Sequence, residues 1–474
     1  MIDRSPKILV KSKKPKNNLK NSNNDNNSII DHNHRIGKSQ VKSIKDNPDF
    51  LSLEKNTNNA DGKEIINDVY HLYRLRYVAW AITGIKDNGI YRKHHVSICG
   101  KYPQKDKNIE LWSNQNNDKT HFKNLITCNS VWACPIDRYK IMSVRTSEII
   151  TISKGEQGKG KVMAFLTLTK KHRKHKSLDE LKIFIKSFND DFRYITSIPS
   201  IKAEKENSGF RYIKAFETMY NSVNGFHPHF HIIIFADSRE SIDRIANKII
   251  NAWLNKCPGT TKENQKLIHV FDNYNEELEK YISKLNMALE LTNLYNNKTG
   301  KYYSINPLDA LNLLLIKDYS IFSENELKKL YNEYIHVTKG VRSITYSKGL
   351  KSDYKVIDKT DEEICNDDSE LKNQIVKISY TLYSRLVRIN ATHELLKAGN
   401  AFLKNDSTIL IELRKIITDR LLIPIEYYRN QIVCSDESEP IDDNICRIKS
   451  YRSPIMSKNK WIENKKADGI VKTA

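Results

Sequence analysis

Long apolar runs are absent from this chain of 474 residues: none approaches the roughly 18 consecutive apolar residues that suggest a membrane-spanning helix. The N-terminus is polar and lacks an apolar core segment, so we expect no signal peptide. Cysteines are few, seven in all and scattered, which favours a reducing cytoplasm over a disulfide framework. Acidic residues number 57 against 78 basic ones, which leaves a net charge of +21. That surplus favours a polyanionic partner, nucleic acid before membrane.

Composition divides the chain into four regions. Residues 1–60 are basic and rich in asparagine, and we expect a disordered arm that either touches phosphates non-specifically or is only a solvated tail. Residues 61–160 form an N-terminal region that contains cysteines, and residues 161–355 carry the patterns described next. Residues 356–474 read as a mainly helical C-terminal region to which we assign no chemistry.

Residues 161–355 alternate between strand and helix patterns. Two amphipathic helices are predicted, one after the capping residue Ser177 and one that contains Trp253. Each helix follows a strand and precedes another, and the predicted strands are 162–169, 211–220, 225–235 and 267–271. The order strand, helix, strand, strand, helix, strand predicts an α+β fold of the split βαβ type, an antiparallel sheet with helices on one face.

Three histidines alternate along the third of these strands. His227, His229 and His231 are spaced two residues apart, so their side chains share one face of the strand. Neutral imidazoles gathered on a rigid strand suit a metal ion. The alternative is a polar strand face with solvated histidines.

The preceding strand supplies a carboxylate. Asn224-Gly225 is a hairpin signal, and with Val223 at the apex Glu217 lies opposite His229, with their Cβ atoms roughly 5 Å apart. Imidazole nitrogens and a carboxylate oxygen together suit a divalent cation. His227 is nearer the turn, so we rank it below Glu217 as a ligand.

A third helix is predicted to begin near residue 274. Glu277, Tyr281 and Lys284 lie on one face of it, at positions i−4, i and i+3. This set suits covalent attack on a phosphodiester: the tyrosine is the nucleophile, the lysine holds a phosphate oxygen and the glutamate activates water. The alternative is a surface helix with ordinary contacts between neighbouring turns.

Two further clusters have open interpretations. A basic run that follows the first strand either grips a DNA backbone or is a solvated loop; its charged members are Lys170, Lys171, Arg173, Lys174 and Lys176. Three cysteines, Cys99, Cys128 and Cys134, either bind zinc or are buried free thiols. A zinc site would need a fourth ligand, for which Asp137, His94 and His95 are candidates.

These blocks together resemble the HUH endonucleases, in particular the rolling-circle replication initiators of small bacterial plasmids. The resemblance covers about residues 90–355. Its blocks are 165–169, the metal block 225–231 and the nucleophile block 277–284, with flanking pieces at 132–135 and 339–350. The family's usual Cys-Pro-x-Cys ends here in Asp137, which departs from the pattern that would support zinc.

The resemblance implies an α+β catalytic domain over residues 161–355 that nicks one DNA strand at a plasmid origin. Tyr281 would form a 5′-phosphotyrosine and leave a 3′-OH primer, and Glu277 would activate water at termination. Mg²⁺ or Mn²⁺ would be the cofactor. The partners would be supercoiled origin DNA with an exposed single strand, a host helicase and a host DNA polymerase.

Two alternatives remain open. A relaxase or a transposase would use the same chemistry, although relaxases usually carry the tyrosine ahead of the histidines and single-tyrosine transposases are usually much shorter. A non-catalytic DNA-binding protein would use the hairpin as a structural metal site. Dispensability of Tyr281 would favour that last interpretation.

Overall fold

The computed structural model describes residues 69–83, 94–270 and 304–404, together with short stretches at 57–58, 64–65, 85–87, 90–92 and 432–434 and four positions between 409 and 416. Its helices are α1 (Val69–Ile82), α2 (Pro135–Gly158), α3 (Leu178–Ser197), α4 (Pro199–Lys202), α5 (Glu204–Asn207), α6 (Arg239–Lys256), α7 (Asp309–Ile316), α8 (Glu324–Val337), α9 (Leu350–Asp353), α10 (Asp361–Cys365), α11 (Tyr380–Arg388) and α12 (Thr392–Leu403). Among these helices, none combines the length and apolar character needed to cross a membrane.

The strands form antiparallel pairs throughout the described residues. They are β1 (Thr57–Asn58), β2 (Glu64–Ile65), β3 (Ile85–Asp87), β4 (Ile90–Arg92), β5 (Ile109–Asn114), β6 (Thr120–Lys123), β7 (Val162–Thr169), β8 (Arg211–Asn221), β9 (Gly225–Ala236), β10 (Lys266–Val270), β11 (Ser304–Ile305), β12 (Ile344–Tyr346), β13 (Leu371–Ile378) and β14 (Ile432–Cys434). The largest sheet has the order β10-β7-β9-β8-β11, and β12 also pairs with β8. The predicted α+β class is therefore confirmed.

Helices α3 and α6 cover one face of this sheet. Ser177 caps α3 by accepting the N–H of Glu180, as the sequence predicts. Phe230 of β9 is fully buried beneath the two helices, with its ring centroid 4.8 Å from that of Phe188 and 6.2 Å from that of Trp253. Full burial of such a side chain contributes about 1.5–3 kcal/mol relative to leaving it exposed. This packing fixes the even-numbered side chains of β9 and turns its histidines to the opposite face.

The two predicted helices therefore share one face, but the sheet carries helices on both faces, because α2, which precedes the predicted unit, meets the other face. Arg211 of β8 donates to Glu156 of α2 at 3.1 Å, and Met142 of α2 lines a small cavity with Ala215 and Glu217. The odd-numbered face also carries Ile213, which is buried and apolar, so it needs cover. The histidines of β9 thus lie on a face that is largely covered.

The N-terminal and C-terminal regions share a second sheet of order β14-β13-β5-β6. Strand β13 pairs with β5, with Ile378 opposite Ile109. Both residues belong to one buried cluster to which α11 contributes Leu382. The C-terminal region, predicted to be mainly helical, therefore contributes strands β13 and β14 as well as α10 to α12.

Candidate metal centre

The β8–β9 hairpin has the register that the histidine pattern predicts. Glu217 pairs with His229, and the strands close at Asn221 and Gly225. Asn221 Oδ1 accepts the N–H groups of Val223 and Asn224 at 3.1 and 2.6 Å, while Gly225 alone of the two predicted turn residues takes a positive φ, of +72°. The turn thus fixes the register, and the register places the carboxylate among the imidazoles.

Three side chains converge across the two strands. His229 Nε2 lies 2.7 Å and His231 Nε2 lies 2.8 Å from the same oxygen, Oε2 of Glu217. One ligand atom from each residue lies within 4.8 Å of the others. The side chains are between 11% and 16% exposed, so the group is largely shielded but not closed. Such a group leaves room for a substrate atom beside a bound ion.

The electrostatics of the group are those of a tight cation–carboxylate arrangement. Burial would raise the pKa of the Glu217 carboxyl, but His229 and His231 hold it well below its usual range. Burial would lower the pKa of His229, but the Glu217 carboxylate raises it above the ordinary value of 6.5. The carboxylate therefore stays ionised and demands a positive charge beside it.

The outer nitrogens of both imidazoles are engaged by the surrounding strands. His229 Nδ1 lies 3.3 Å from the carbonyl oxygen of His227, and His231 Nδ1 lies 3.3 Å from Thr167 Oγ1. If each Nδ1–H donates to these oxygens, both Nε2 lone pairs face the Glu217 oxygen. Lone pairs so close to a carboxylate repel it unless a proton or a cation lies between them. The donor set thus fits a divalent cation, with the carboxylate as the hard ligand.

His227 lies beside this group rather than within it. Its Nδ1 is 2.7 Å from Nε2 of His172, which follows β7. Burial, with smaller contributions from His229 and His172, lowers the pKa of His227 to about 4. The ring of His227 is therefore neutral at neutral pH. Through His172 it connects β9 to the basic run that follows β7.

The basic run forms a loop in which most charged side chains are exposed and both histidines are half-buried. Four of its predicted phosphate-binding side chains are exposed: Lys171, Arg173, Lys174 and Lys176. Lys170 instead is half-buried and pairs with Asp191 at 2.6 Å. His172 and His175 turn inward, and the ring of His175 packs on Phe184 at 4.8 Å between centroids. The exposed cations are thus held beside the histidine strand.

Two residues of the site, His172 and Thr167, are not indicated by the sequence pattern. In the sequence His172 is only one member of the basic run, and its inward direction depends on contacts with β9. Thr167 pairs with His231 across β7 and β9. Thr167 is one of two polar residues in the largely apolar strand β7, with Thr169, and only the β7–β9 register shows which of them faces His231.

The predicted cysteine group also comes together. Cys99, Cys128 and Cys134 meet with Asp137, the first of the three candidate fourth ligands. His94 instead accepts the N–H of Val96 through Nδ1 at 3.2 Å. The predicted nucleophile set, Glu277, Tyr281 and Lys284, lies outside the described residues, and so does nearly all of the predicted N-terminal arm.

Comparison with known proteins gives no match to this chain among protein-family models, curated proteins or solved structures.

Proposed function

We propose that this chain is a metal-dependent DNA-nicking enzyme of the HUH endonuclease type that starts rolling-circle replication of a plasmid. The observation that carries the proposal is the convergence of His229 Nε2 and His231 Nε2 on one oxygen of Glu217, at 2.7 and 2.8 Å. A hydrophobic residue, Phe230, separates the histidines and is buried on the opposite face of the strand. This is the arrangement that the resemblance implies for a metal block.

The surroundings of the metal centre support a DNA substrate. The order β7, α3, β8, β9, α6, β10 agrees with a split βαβ catalytic domain, with the short helices α4 and α5 inserted before β8. The loop 171–176 carries four exposed basic side chains. It lies beside the histidine strand β9, because His172 of this loop contacts His227 of β9. A net charge of +21 adds long-range attraction for a polyanion.

The described residues have three roles in this proposal. Glu217, His229 and His231 hold Mg²⁺ or Mn²⁺, which when bound polarises the scissile phosphate and stabilises its developing negative charge. Thr167 and the His227 carbonyl orient the two imidazoles. The exposed basic side chains hold neighbouring phosphates of the strand and keep the scissile group in place.

The nucleophile comes from the resemblance and from the pattern of residues 277–284. The phenol oxygen of Tyr281 forms a bond to phosphorus while the bond from phosphorus to the 3′ oxygen breaks. The phenol loses its proton, the departing oxygen gains one and becomes the 3′-OH, and the phosphate stays on Tyr281 as a 5′-phosphotyrosine. Lys284 neutralises a phosphate oxygen, and Glu277 later activates the water that hydrolyses the link.

In the cell, the substrate would be the origin in supercoiled DNA, with a single strand exposed at the nick site. A host helicase would unwind the duplex from the nick, and a host polymerase would extend the 3′-OH. Both partners are inferred from the resemblance, as is a cytoplasmic location.

A covalent-nicking assay tests the proposal. The full chain is incubated with Mn²⁺ and a supercoiled plasmid that carries the DNA flanking its own gene. We expect open circles with protein attached to the 5′ end. Tyr281→Phe should bind the DNA equally well and yield no covalent product.

Two outcomes would count against the proposal. One is the absence of nicked product under conditions in which the protein binds the plasmid. The other is undiminished nicking by the Tyr281→Phe protein, which would remove the assigned nucleophile. Lys105 is exposed and lies far in the sequence from the metal block 225–231 and the nucleophile block 277–284. The Lys105→Gln protein therefore serves as the control and should cut normally.

A further inference from the structure

Three thiols and a carboxylate meet at the N-terminus of α2. Cys134 caps this helix, Asp137 lies in its first turn, Cys128 comes from the segment after β6, and Cys99 follows the short 3-10 turn His95–Ser97. The Sγ atoms of Cys99 and Cys134 are 3.6 Å apart, which is far beyond a disulfide bond of about 2.05 Å. Asp137 Oδ2 lies 3.3 Å from Cys99 Sγ and 3.2 Å from Cys128 Sγ.

These separations are those of ligands around one tetrahedral ion. With Zn–S bonds of about 2.3 Å, two sulfurs of a tetrahedron lie about 3.8 Å apart, and a sulfur and a carboxylate oxygen lie about 3.5 Å apart. The observed separations of 3.6, 3.3 and 3.2 Å are slightly shorter. One atom from each of the four residues lies within 4.8 Å of all the others. The four atoms therefore need only small shifts to enclose zinc.

The group is mostly buried, with Cys128 half-buried, and it stands beside a buried positive charge. Cys99, Cys134 and Asp137 are at most 1% exposed. Arg76 is also buried, and its guanidinium packs so closely on Gly100 that a Cβ there would collide with it. Two guanidinium nitrogens, Nε and Nη2, have no hydrogen-bond partner among the described residues. A buried cation requires a counter-charge, and three thiolates with one carboxylate around Zn²⁺ carry a net charge of −2.

We propose that Cys99, Cys128, Cys134 and Asp137 form a structural Zn²⁺ site, separate from the histidine centre. Thiolates are soft ligands that select zinc over magnesium, and four protein ligands fill the tetrahedral coordination of zinc and leave no position for a substrate. Such a site is independent of DNA nicking, and zinc binding can be measured without any cleavage of DNA.

The site would fasten the segment that borders the histidine centre. Trp132 donates its indole N–H to the carbonyl of Val341 at 2.7 Å, and the carbonyl of Ala133 accepts from the hydroxyl of Tyr331 at 2.6 Å. Trp132 also lines the small cavity beside Glu217. Zinc held by Cys128 and Cys134 would fix both ends of the segment 128–134, which contains Trp132 and Ala133.

Asp137 also has a role that needs no metal, and the test must separate the two. Its Oδ2 accepts the backbone N–H groups of Cys128 and Asn129, each at 3.0 Å. A carboxylate has further lone pairs for a metal. Asp137→Asn keeps an oxygen that accepts these N–H groups and removes the negative charge that makes the carboxylate a good zinc ligand.

Zinc content of the purified full chain tests the proposal. The protein is prepared without chelators and its metals are measured by mass spectrometry. We expect about one equivalent of zinc, and a loss of affinity of at least about tenfold in Cys128→Ser and in Asp137→Asn, since even outer residues of metal sites contribute that much. Cobalt in place of zinc should give sulfur-to-metal charge-transfer absorption, which Cys128→Ser should weaken.

Two matched variants locate the metal. Cys257→Ser removes a buried thiol that lies outside the cluster and should retain zinc. His229→Ala should also retain it. A wild-type chain that binds no zinc when zinc is supplied overturns the proposal, and so does zinc that stays in Cys128→Ser but leaves with His229→Ala.

A variant with higher zinc affinity tests the proposal even if the other variants fail to fold. Asp137→Cys completes a four-cysteine set and should lose less zinc than wild type at each concentration of a competing chelator. Unchanged or greater zinc loss in a folded Asp137→Cys protein would remove Asp137 from the ligand set and overturn the assignment.

Discussion

The histidine centre and the cysteine cluster gather their side chains in different ways. The centre takes Glu217, His229 and His231 from one hairpin, whose two strands are joined by three residues. The cluster takes its side chains from separate segments, and Cys99 and Asp137 are 38 positions apart in the sequence. The first set is placed by strand register alone, whereas the second requires the surrounding fold.

The two sets also differ in chemistry and exposure. Nitrogen and carboxylate ligands that keep 11–16% of their surface suit an ion that must reach a phosphate. Sulfur ligands suit an ion that is held permanently, and two of the three cysteines, Cys99 and Cys134, are at most 1% exposed, whereas Cys128 is half-buried. Under the two proposals, the chain would separate a catalytic cation from a structural one chiefly by the softness of the ligands.

The largest expected effect is the loss of cleavage when the histidine centre is broken. His229→Ala removes one of the two imidazoles and leaves Glu217 buried beside a cavity. Metal ions supply several kcal/mol of transition-state stabilisation, and each 1.36 kcal/mol is tenfold in rate. We therefore expect nicking to fall by at least about a thousandfold, measured as covalent product with Mn²⁺, while duplex binding persists.

His227→Ala is the matched control for this loss. It removes an imidazole two residues away on the same face, but His227 contacts His172 rather than Glu217. We expect a much smaller loss than for His229→Ala. Equal losses of nicking activity in the two variants would indicate that His227 is also a metal ligand.

The second effect, smaller, comes from the charge of the carboxylate. Glu217→Gln keeps the shape of the side chain but removes the negative charge that both imidazoles face. We expect Mn²⁺ affinity to fall by about 10–100-fold, comparable to the loss of a metal's supporting residue. A titration of nicking against Mn²⁺ should move to higher concentration, with activity largely restored at saturation. Unchanged affinity would exclude Glu217 as a ligand.

The histidine centre and the cysteine cluster also differ in how well the sequence predicts them. The hairpin register and the pairing of Glu217 with His229 are predictable because a period of two and a turn signal fix them locally. The fourth member of the cysteine cluster is not, because it depends on how α2 meets the preceding segments. Helix α2 itself escapes prediction: its buried residues include Asp137, Arg138 and Glu148 as well as apolar ones, so no simple apolar stripe marks it.

The third effect concerns the loop beside the histidine centre. Lys171→Gln with Arg173→Gln removes two exposed charges, whereas Lys105→Gln with Lys107→Gln removes two exposed charges from a segment before β5. Each bound phosphate contributes about −0.9 to the slope of log affinity against log salt. We expect the first pair to flatten the slope by about that amount for each phosphate that is no longer bound, and the second pair to change it little. Equal slopes would make the loop an ordinary solvated one.

The smallest effect is the dependence of metal stabilisation on pH. The pKa of His229 lies above its ordinary value of 6.5, so in the metal-free protein its interaction with Glu217 gives stability that is complete below pH 6.5 and disappears as pH rises through the folded pKa. The depressed pKa of Glu217 sets the acid side: its contribution is present above pH 4.5 and disappears as pH falls through its lower folded pKa.

A bound cation reverses the first of these signs, because it must displace the proton from His229. Below the pKa of His229 the proton competes with the ion, and apparent affinity falls by up to about tenfold for each pH unit. We expect Mn²⁺ to raise the Tm of the full chain more at about pH 8 than at about pH 6, and His229→Ala to abolish that difference. A shift of equal size at both pH values would mean that the ion binds without displacing a proton from His229, and His229 would then not be a ligand.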